Sequence, residues 1–382
     1  MCGARTDVLV LTGPGERPDG VRAVSERYGG RLGVSVTWRD AEDAARLAAW
    51  LRDDGPDHAA VVLASGALSA SAEVAAAVRA TDRPVVHVDT AAVATWDVVP
   101  DACDHAIHGR HRRSFHGALD WLTTRWAHPP TTVAYGPDPV HLGDLRLPDG
   151  GGGAPVVVLL HGGFWLDPWE RDLMARLAVR LTANGWATWN VEYRRRGPTG
   201  GGWPATLQDA CAAVDAVADL AVEHLIDPGR VVLLGHSAGA QLGVYAATRD
   251  RAPASAPGRV PRVHPAGIVA LAGLLDLEAA VTADLADGAV AAFLGAPQEH
   301  PERYAVASPI RRVPLDAPVL AVHGPEDHLV PVAQTTGFSD AARDVGDEVE
   351  LALVDASHLD MVDPDGPAME VVSDWLARLG RG

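Results

Sequence analysis

Arg230-Val231-Val232-Leu233-Leu234-Gly235-His236-Ser237-Ala238-Gly239-Ala240-Gln241-Leu242 is the stretch on which the fold turns. It reads as a buried strand, a G-x-S-x-G turn and the start of an alanine-rich helix. Glycines two before and two after the serine let the backbone pass a strained turn, which would hold Ser237 Oγ out at the top of a sheet with a helix N-terminus beneath it. With 39 Gly and 12 Ser in 382 residues, chance supplies about 0.12 such pentapeptides, so the pattern is informative chiefly because it sits between a strand and a helix.

Upstream, the apolar run Val156 to Leu160 leads into His161-Gly162-Gly163-Phe164-Trp165. Successive glycines after a strand allow amides to turn inward, and those of Gly163 and Phe164 are expected to join that of Ala238 in an oxyanion hole. Downstream, Val319 to Val322 is followed by His323-Gly324-Pro325-Glu326-Asp327, and Val354-Asp355-Ala356-Ser357-His358 follows the next strand. A carboxylate just past one strand end can reach an imidazole just past the next; Asp327 is preferred for that role over Glu326, and Asp355 ranks third. Ser237, Asp327 and His358 then stand in the chain order Ser, Asp, His found in α/β-hydrolases.

Around these points the chain falls into two α/β blocks. In residues 129–382 strands are expected near 132–135, 140–145, 155–160, 186–191, 230–234, 267–270, 319–322 and 349–354. Helices are expected near 168–183, 205–224, 237–249, 331–344 and 366–379. Sustained alternation implies a doubly wound, mostly parallel sheet. The run Pro148 to Gly153 precedes a strand instead of joining strand to helix, so it reads as a hairpin loop and not a phosphate cradle. Residues 1–128 show the same alternation on a smaller scale, with strands near 7–11, 33–38, 59–63 and 85–88 and helices near 18–28, 40–52, 71–80 and 112–126. His128-Pro129-Pro130-Thr131-Thr132 cannot continue a helix and reads as the linker.

Residues 131–382 resemble an α/β-hydrolase of the esterase and kynurenine-formamidase-like group. The motifs that carry the resemblance are His161 to Trp165, the W-N-x-E-Y-R-R stretch Trp189 to Arg195, Gly202 to Pro204 and Gly235 to Gly239. The resemblance implies a serine hydrolase, of carboxylesterase or arylformamidase type, that cleaves a small ester or an N-formyl or aryl amide through an acyl-enzyme. The alternative is an acyltransferase or cyclase using the same acyl-enzyme. Residues 5–128 resemble a type II dehydroquinase, a smaller flavodoxin-like α/β domain, over Leu9 to Gly15, Ala60 to Ser71 and Pro84 to Asp89. The departures fall on the chemistry: Ala70 stands where that family has its general-acid histidine. The resemblance implies a domain that kept the fold and lost the dehydratase activity, and it implies a homo-oligomerisation module, because that family builds trimers that form dodecamers.

Composition narrows the remaining options. All 32 basic residues are arginine, against 50 acidic residues and a net charge of -18. Without lysine there is no Schiff-base amine and no P-loop or kinase lysine. So acidic a surface disfavours nucleic acid. The bland explanation is GC-rich codon usage, and the arginine bias spans both blocks. Three scattered cysteines (Cys2, Cys103, Cys211) imply neither a disulfide framework nor a thiolate metal site. No apolar run is long enough for a signal peptide or a membrane span, so a cytoplasmic protein is expected. His105, His108, His111 and His116 are interleaved with Arg110, Arg112 and Arg113, which opposes a bound cation. No metal or other cofactor is expected, and the partner is a small-molecule acyl substrate. Trp165 and Trp203 are candidate walls of an aromatic substrate pocket. Arg194, Arg195 and Arg196 read as a solvated basic run, with a substrate carboxylate as the alternative partner.

Overall fold

The computed structural model describes residues 7–13, 21–53, 59–64, 71–89, 103–108, 110, 113–150 and 152–380. The chain divides into two compact units, Met1–Ala127 and His128–Gly382.

The first unit runs β1 (Asp7–Thr12), α1 (Val21–Arg31), β2 (Ser35–Asp40), α2 (Ala44–Asp53), β3 (Ala60–Ala64), α3 (Ala72–Ala80), β4 (Val85–Val88), β5 (His105–Ile107) and α4 (Arg113–Ala127). All paired strands are parallel, in the order β2-β1-β3-β4-β5, the doubly wound order of flavodoxin-like sheets. Side chains alternate across each strand. Val8 and Val10 therefore pack with Val21 of α1 and Phe115 and Leu119 of α4, whereas Leu9 and Leu11 pack with Leu47 of α2 and Val74 of α3. The short strand β5 was not expected from the sequence, since three residues carry too little alternation to register. His105 stacks on Trp121 and His116 on Tyr28, while His111 and Arg112 lie outside the described residues, as do Cys2, Pro14, Gly15, Ala70 and residues 65–69 and 90–92.

The second unit continues with β6 (Thr131–Ala134), β7 (Leu142–Arg146), β8 (Ala154–Leu160), α5 (Ala175–Ala183), β9 (Ala187–Val191), α6 (Ala205–Asp215), α7 (Val217–His224), β10 (Ile226–His236) and α8 (Ala238–Thr248). It closes with β11 (Gly267–Leu271), α9 (Leu277–Thr282), α10 (Ala289–Leu294), α11 (Pro301–Ala307), β12 (Val319–His323), α12 (Ala333–Asp344), β13 (Val349–Leu353) and α13 (Pro367–Leu379). The eight strands are ordered β13-β12-β11-β10-β8-β9-β7-β6. Only β7 on β9 and β6 on β7 pair antiparallel. Val156, Val158 and Leu160 face α6 and α8 on one side of the sheet; Val157 and Leu159 face α5 and α13 on the other.

Two expectations change. The Pro148 to Gly153 loop does not close a hairpin, because both edges of β8 are taken by β9 and β10 and the loop instead carries the chain past β9. The real hairpin joins β6 to β7, closed by Tyr135 N donating to His141 O at 2.9 Å. The expected single helix over 205–224 is two, α6 and α7, meeting at Ala216. The short helices α9 to α11 were also not anticipated, each being too brief to show a 3.6-residue period. No helix among the described residues is long and apolar enough to cross a membrane.

Candidate active site

Strand β10 ends at His236 and helix α8 begins at Ala238, leaving Ser237 alone at the turn with φ 54° and ψ -119°. A non-glycine residue held there stores roughly 1 to 3 kcal/mol of backbone strain. It persists because the peptide is tied on both sides: Ser237 N donates to Leu271 O at 2.8 Å, and Ser237 O accepts from Ala240 N at 3.1 Å. The flanking glycines serve a different need from the one sequence suggests. Neither Gly235 nor Gly239 has a positive φ. A β-carbon on Gly235 would overlap the Gly239 carbonyl, and one on Gly239 would overlap the carbonyl oxygens of Leu160 and His161. Both are required for close approach, and the unusual φ falls on the serine. Ser237 Oγ is buried and has no hydrogen-bond partner among the described residues.

Asp327 and His358 come together across the ends of β12 and β13. His358 Nδ1 donates to Asp327 Oδ2 at 2.6 Å. Asp327 Oδ1 accepts from the amides of Leu329 and Val330 at 2.8 and 3.0 Å, and His323 Nε2 lies 3.3 Å from Oδ2. Burial alone would raise this carboxyl, but hydrogen bonds from His323 and His358 outweigh it and hold the group well below the usual carboxylate range. Glu326 and Asp355, the competing carboxylates, are both exposed.

The His358 loop is docked on the residue next to the serine. His236 Nε2 donates to His358 O at 2.9 Å, and the two rings lie 4.8 Å apart. Because the acceptor is a carbonyl, Nε2 must carry the proton. Burial pushes the His236 imidazole down to about 3, and the neighbouring His358 adds to the shift. The unfolded residue titrates near 6.5, so between pH 6.5 and about 3 the unfolded chain binds a proton that the folded one does not. Stability from this residue is thus complete above pH 6.5 and lost as the pH falls. From pH 7 to 4.5 the loss is about 2 to 3 kcal/mol. We expect His236→Gln, which retains a donor able to reach His358 O, to flatten the pH dependence of the unfolding free energy from urea titrations by that amount. Parallel curves for the two proteins would refute the assignment.

The loop after β8 packs against both His236 and Ser237. Gly162 approaches so closely that a β-carbon on it would sit 2.9 Å from Ser237 Cβ. Gly163, Phe164 and Trp165 follow with φ of 116°, 53° and 56°. Among the described residues neither the Gly163 nor the Phe164 amide donates to a carbonyl, and Ala238 opens a helix, where the first amides lack intrahelical acceptors. The amides of Gly163 and Phe164 thus follow a glycine packed against Ser237, and that of Ala238 follows Ser237 directly in the chain.

Other expectations need correction. Trp165 is 1% exposed, stacks on Phe293 at 4.2 Å and donates its indole N–H to Gln241 Oε1. Its indole is thus enclosed among core residues instead of standing at an open pocket wall. Trp203 is half-buried, packed against the core, with the Arg303 guanidinium 5.9 Å from its ring. The arginine run is solvated only at Arg196, which is exposed: Arg195 is 2% exposed and pairs with Glu192 and Glu170, while the part-buried Arg194 forms a bidentate pair with Asp209. Two of the carboxylates, Asp209 and Glu170, lie 15 and 25 residues away, and although Glu192 is only three residues before Arg195, burial of that pair is not a local property. Sequence reasoning gave no role to His236, His323, Glu192 or Tyr193; the only signal for the last two was the W-N-x-E-Y-R-R stretch itself.

The BD-FAE family model matches residues 144–341, just over half of the chain. Esterase LipQ of Mycobacterium tuberculosis is 30% identical over 233 residues, 58% of this chain and 54% of its own. The probable carboxylic ester hydrolase LipM of the same organism is 31% identical over 216 residues, 54% of this chain and 49% of its own. The chain thus spans about half the length of these relatives. Among solved structures, a truncated carbohydrate esterase from gut microbiota superposes with a TM-score of 0.58 at 20% identity, covering 66% of this chain and 96% of that one, a likeness of fold.

Proposed function

The chain belongs to the BD-FAE family, and on that premise we propose that residues 128–382 form a serine ester hydrolase of α/β-hydrolase fold. Ser237 Oγ attacks the ester carbonyl carbon, and His358 takes the hydroxyl proton and returns it to the departing alcohol. Asp327 orients the imidazole and stabilises its cationic form. The amides of Gly163, Phe164 and Ala238 donate to the oxyanion as it develops. Water, deprotonated by His358, then attacks the acyl-enzyme carbonyl; as the bond to Ser237 Oγ breaks, His358 returns that proton to Oγ and the acid is freed.

The observation that carries this reading is the 2.6 Å bond from His358 Nδ1 to Asp327, made by a loop docked on the residue beside an unpartnered, positive-φ serine. The names of the relatives LipQ and LipM favour an ester over the N-formyl amide that the formamidase-like motifs suggest. A fluorophosphonate probe is expected to label Ser237 in the folded protein, and short-chain aryl esters are expected to be hydrolysed faster than N-formylkynurenine. Product analysis with an added alcohol separates hydrolysis from acyl transfer. Absence of label on Ser237 would sink the proposal. For residues 1–127, the β2-β1-β3-β4-β5 order supports a flavodoxin-like domain related to type II dehydroquinases, without their general-acid histidine at the position of Ala70.

A further inference from the structure

The geometry points to residues 192–196, the continuation of β9, as the clamp that sets the oxyanion hole, with Tyr193 and Glu192 as its positioning residues. This rests on the reading of Ser237 as nucleophile. The amides of Gly163 and Phe164 are useful only if they face the position of the oxyanion to within a few tenths of an ångström. Yet they belong to three successive residues with positive φ, two of which are Phe164 and Trp165. Aromatic residues do not hold that conformation unaided, so something outside the loop must impose it.

Both ends of the loop are held by the same five-residue segment. At the leading end, Tyr193 Oη donates to His161 O at 2.7 Å, its ring stacks on the His161 imidazole at 4.3 Å and 7°, and His161 Nε2 hydrogen bonds to Glu192 Oε1 at 3.0 Å. At the trailing end, Arg196 N donates to Trp165 O at 2.7 Å, and Leu166 bridges to Arg196. The His161 carbonyl gripped by Tyr193 is also one of the two oxygens against which Gly239 closes. The clamp therefore sets the oxyanion loop directly against the nucleophile turn.

Glu192 is the fixed point of the segment. It is 3% exposed and accepts from Arg195, from Tyr193 N at 3.1 Å and from Arg171 N at 3.0 Å. Burial opposes its charge, but Arg195, His161 and Arg171 outweigh burial and keep it ionised. A carboxylate with that many donors cannot shift without breaking several bonds at once. Tyr193 then transmits that position to the His161 carbonyl through its hydroxyl.

Two variants of the full chain test the clamp: Tyr193→Phe, which keeps the stacked ring, and Glu192→Gln, which keeps the volume. Each is compared with wild type for kcat and KM on p-nitrophenyl acetate. Inhibition by a trifluoromethyl ketone, whose serine hemiketal places an oxyanion in the hole, is measured alongside. In Tyr193→Phe we expect kcat to fall about 10- to 100-fold with KM within about twofold. The inhibition constant should rise by the same factor as kcat/KM falls, with fluorophosphonate still labelling Ser237. Glu192→Gln should show the same split; if it does not fold, Tyr193→Phe decides alone. Turnover within twofold of wild type, or a loss confined to KM with inhibition unmoved, overturns the clamp. Wild-type protein that neither labels nor turns over would overturn the hydrolase reading instead.

Discussion

Replacing Ser237 by alanine is expected to lower kcat by about four to six orders of magnitude while the protein remains folded. The size follows from the division of labour at the site. Without Oγ there is no acyl-enzyme, and His358 and Asp327 have no proton to manage, so the triad contributes nothing as a unit. What persists is the oxyanion hole and substrate binding, which retain roughly a thousandfold or more over water. The fold should be indifferent to the change, because Oγ has no hydrogen-bond partner among the described residues. The bonds that hold the turn run through the Ser237 backbone to Leu271 and Ala240. Steady-state hydrolysis of p-nitrophenyl acetate and a thermal melt together check both halves. Residual activity above about one per cent of wild type would mean that the nucleophile lies elsewhere.

Asp327→Asn is the second large effect: kcat should fall about 10⁴-fold near neutral pH. Asp327 Oδ1 accepts two amides, from Leu329 and Val330, and an asparagine oxygen keeps both. The amide nitrogen then faces His358 Nδ1. It donates where the carboxylate accepted, which moves the imidazole proton to Nε2 and removes the lone pair that must take the serine proton. The substitution also withdraws the negative charge that stabilises the imidazolium in the transition state. KM for the same ester should change little, since no part of Asp327 faces substrate in the proposed mechanism. A loss smaller than about tenfold would show that another carboxylate orients His358. The substitution also bears on acid stability. The folded carboxyl sits below its unfolded range, so its contribution is full above the unfolded pKa and disappears as pH falls through the folded one. The wild type should therefore lose more stability than the variant below pH 4.

Much of this site was legible because its residues sit immediately beyond apolar strands. Val231 to Leu234, Val156 to Leu160 and Val319 to Val322 are continuous hydrophobic runs, as strands buried on both faces must be. The polar residues that terminate them mark the end of the sheet where ligands gather. The choice of Asp327 over Glu326 also agrees with the geometry: in the structure the first is buried on His358 and the second faces solvent. Sequence suggests that the glycines are there for their backbone freedom, whereas in the structure they stand where a β-carbon would overlap a neighbour. Whether a glycine is needed for its φ or for the absence of a side chain depends on what lies opposite it. For Gly239 that is the carbonyl of Leu160, nearly 80 residues away in the chain.

The misreadings share that cause. Arg195 looks solvated when only Arg194 and Arg196 are in view, and becomes a buried ion-pair partner once the chain folds Glu170 and Glu192 around it. Trp165 looks like a pocket wall beside a catalytic loop, until Phe293 and Gln241 arrive from α10 and α8 to enclose it. The Pro148 to Gly153 loop looks like a hairpin because adjacent strands usually pair, until β9 inserts between them.

By itself, then, the sequence determined the two α/β blocks, the succession of strand ends and the chemical groups placed on them. Those follow from burial periodicity and chain order, which are local properties. Only the tertiary structure decided which groups meet, which charges are buried and what holds the loop after β8 against Ser237. Hydrogen bonds and ion pairs act over about 3 Å, and their partners here are brought within that distance only when residues tens of positions apart pack onto the same end of the sheet.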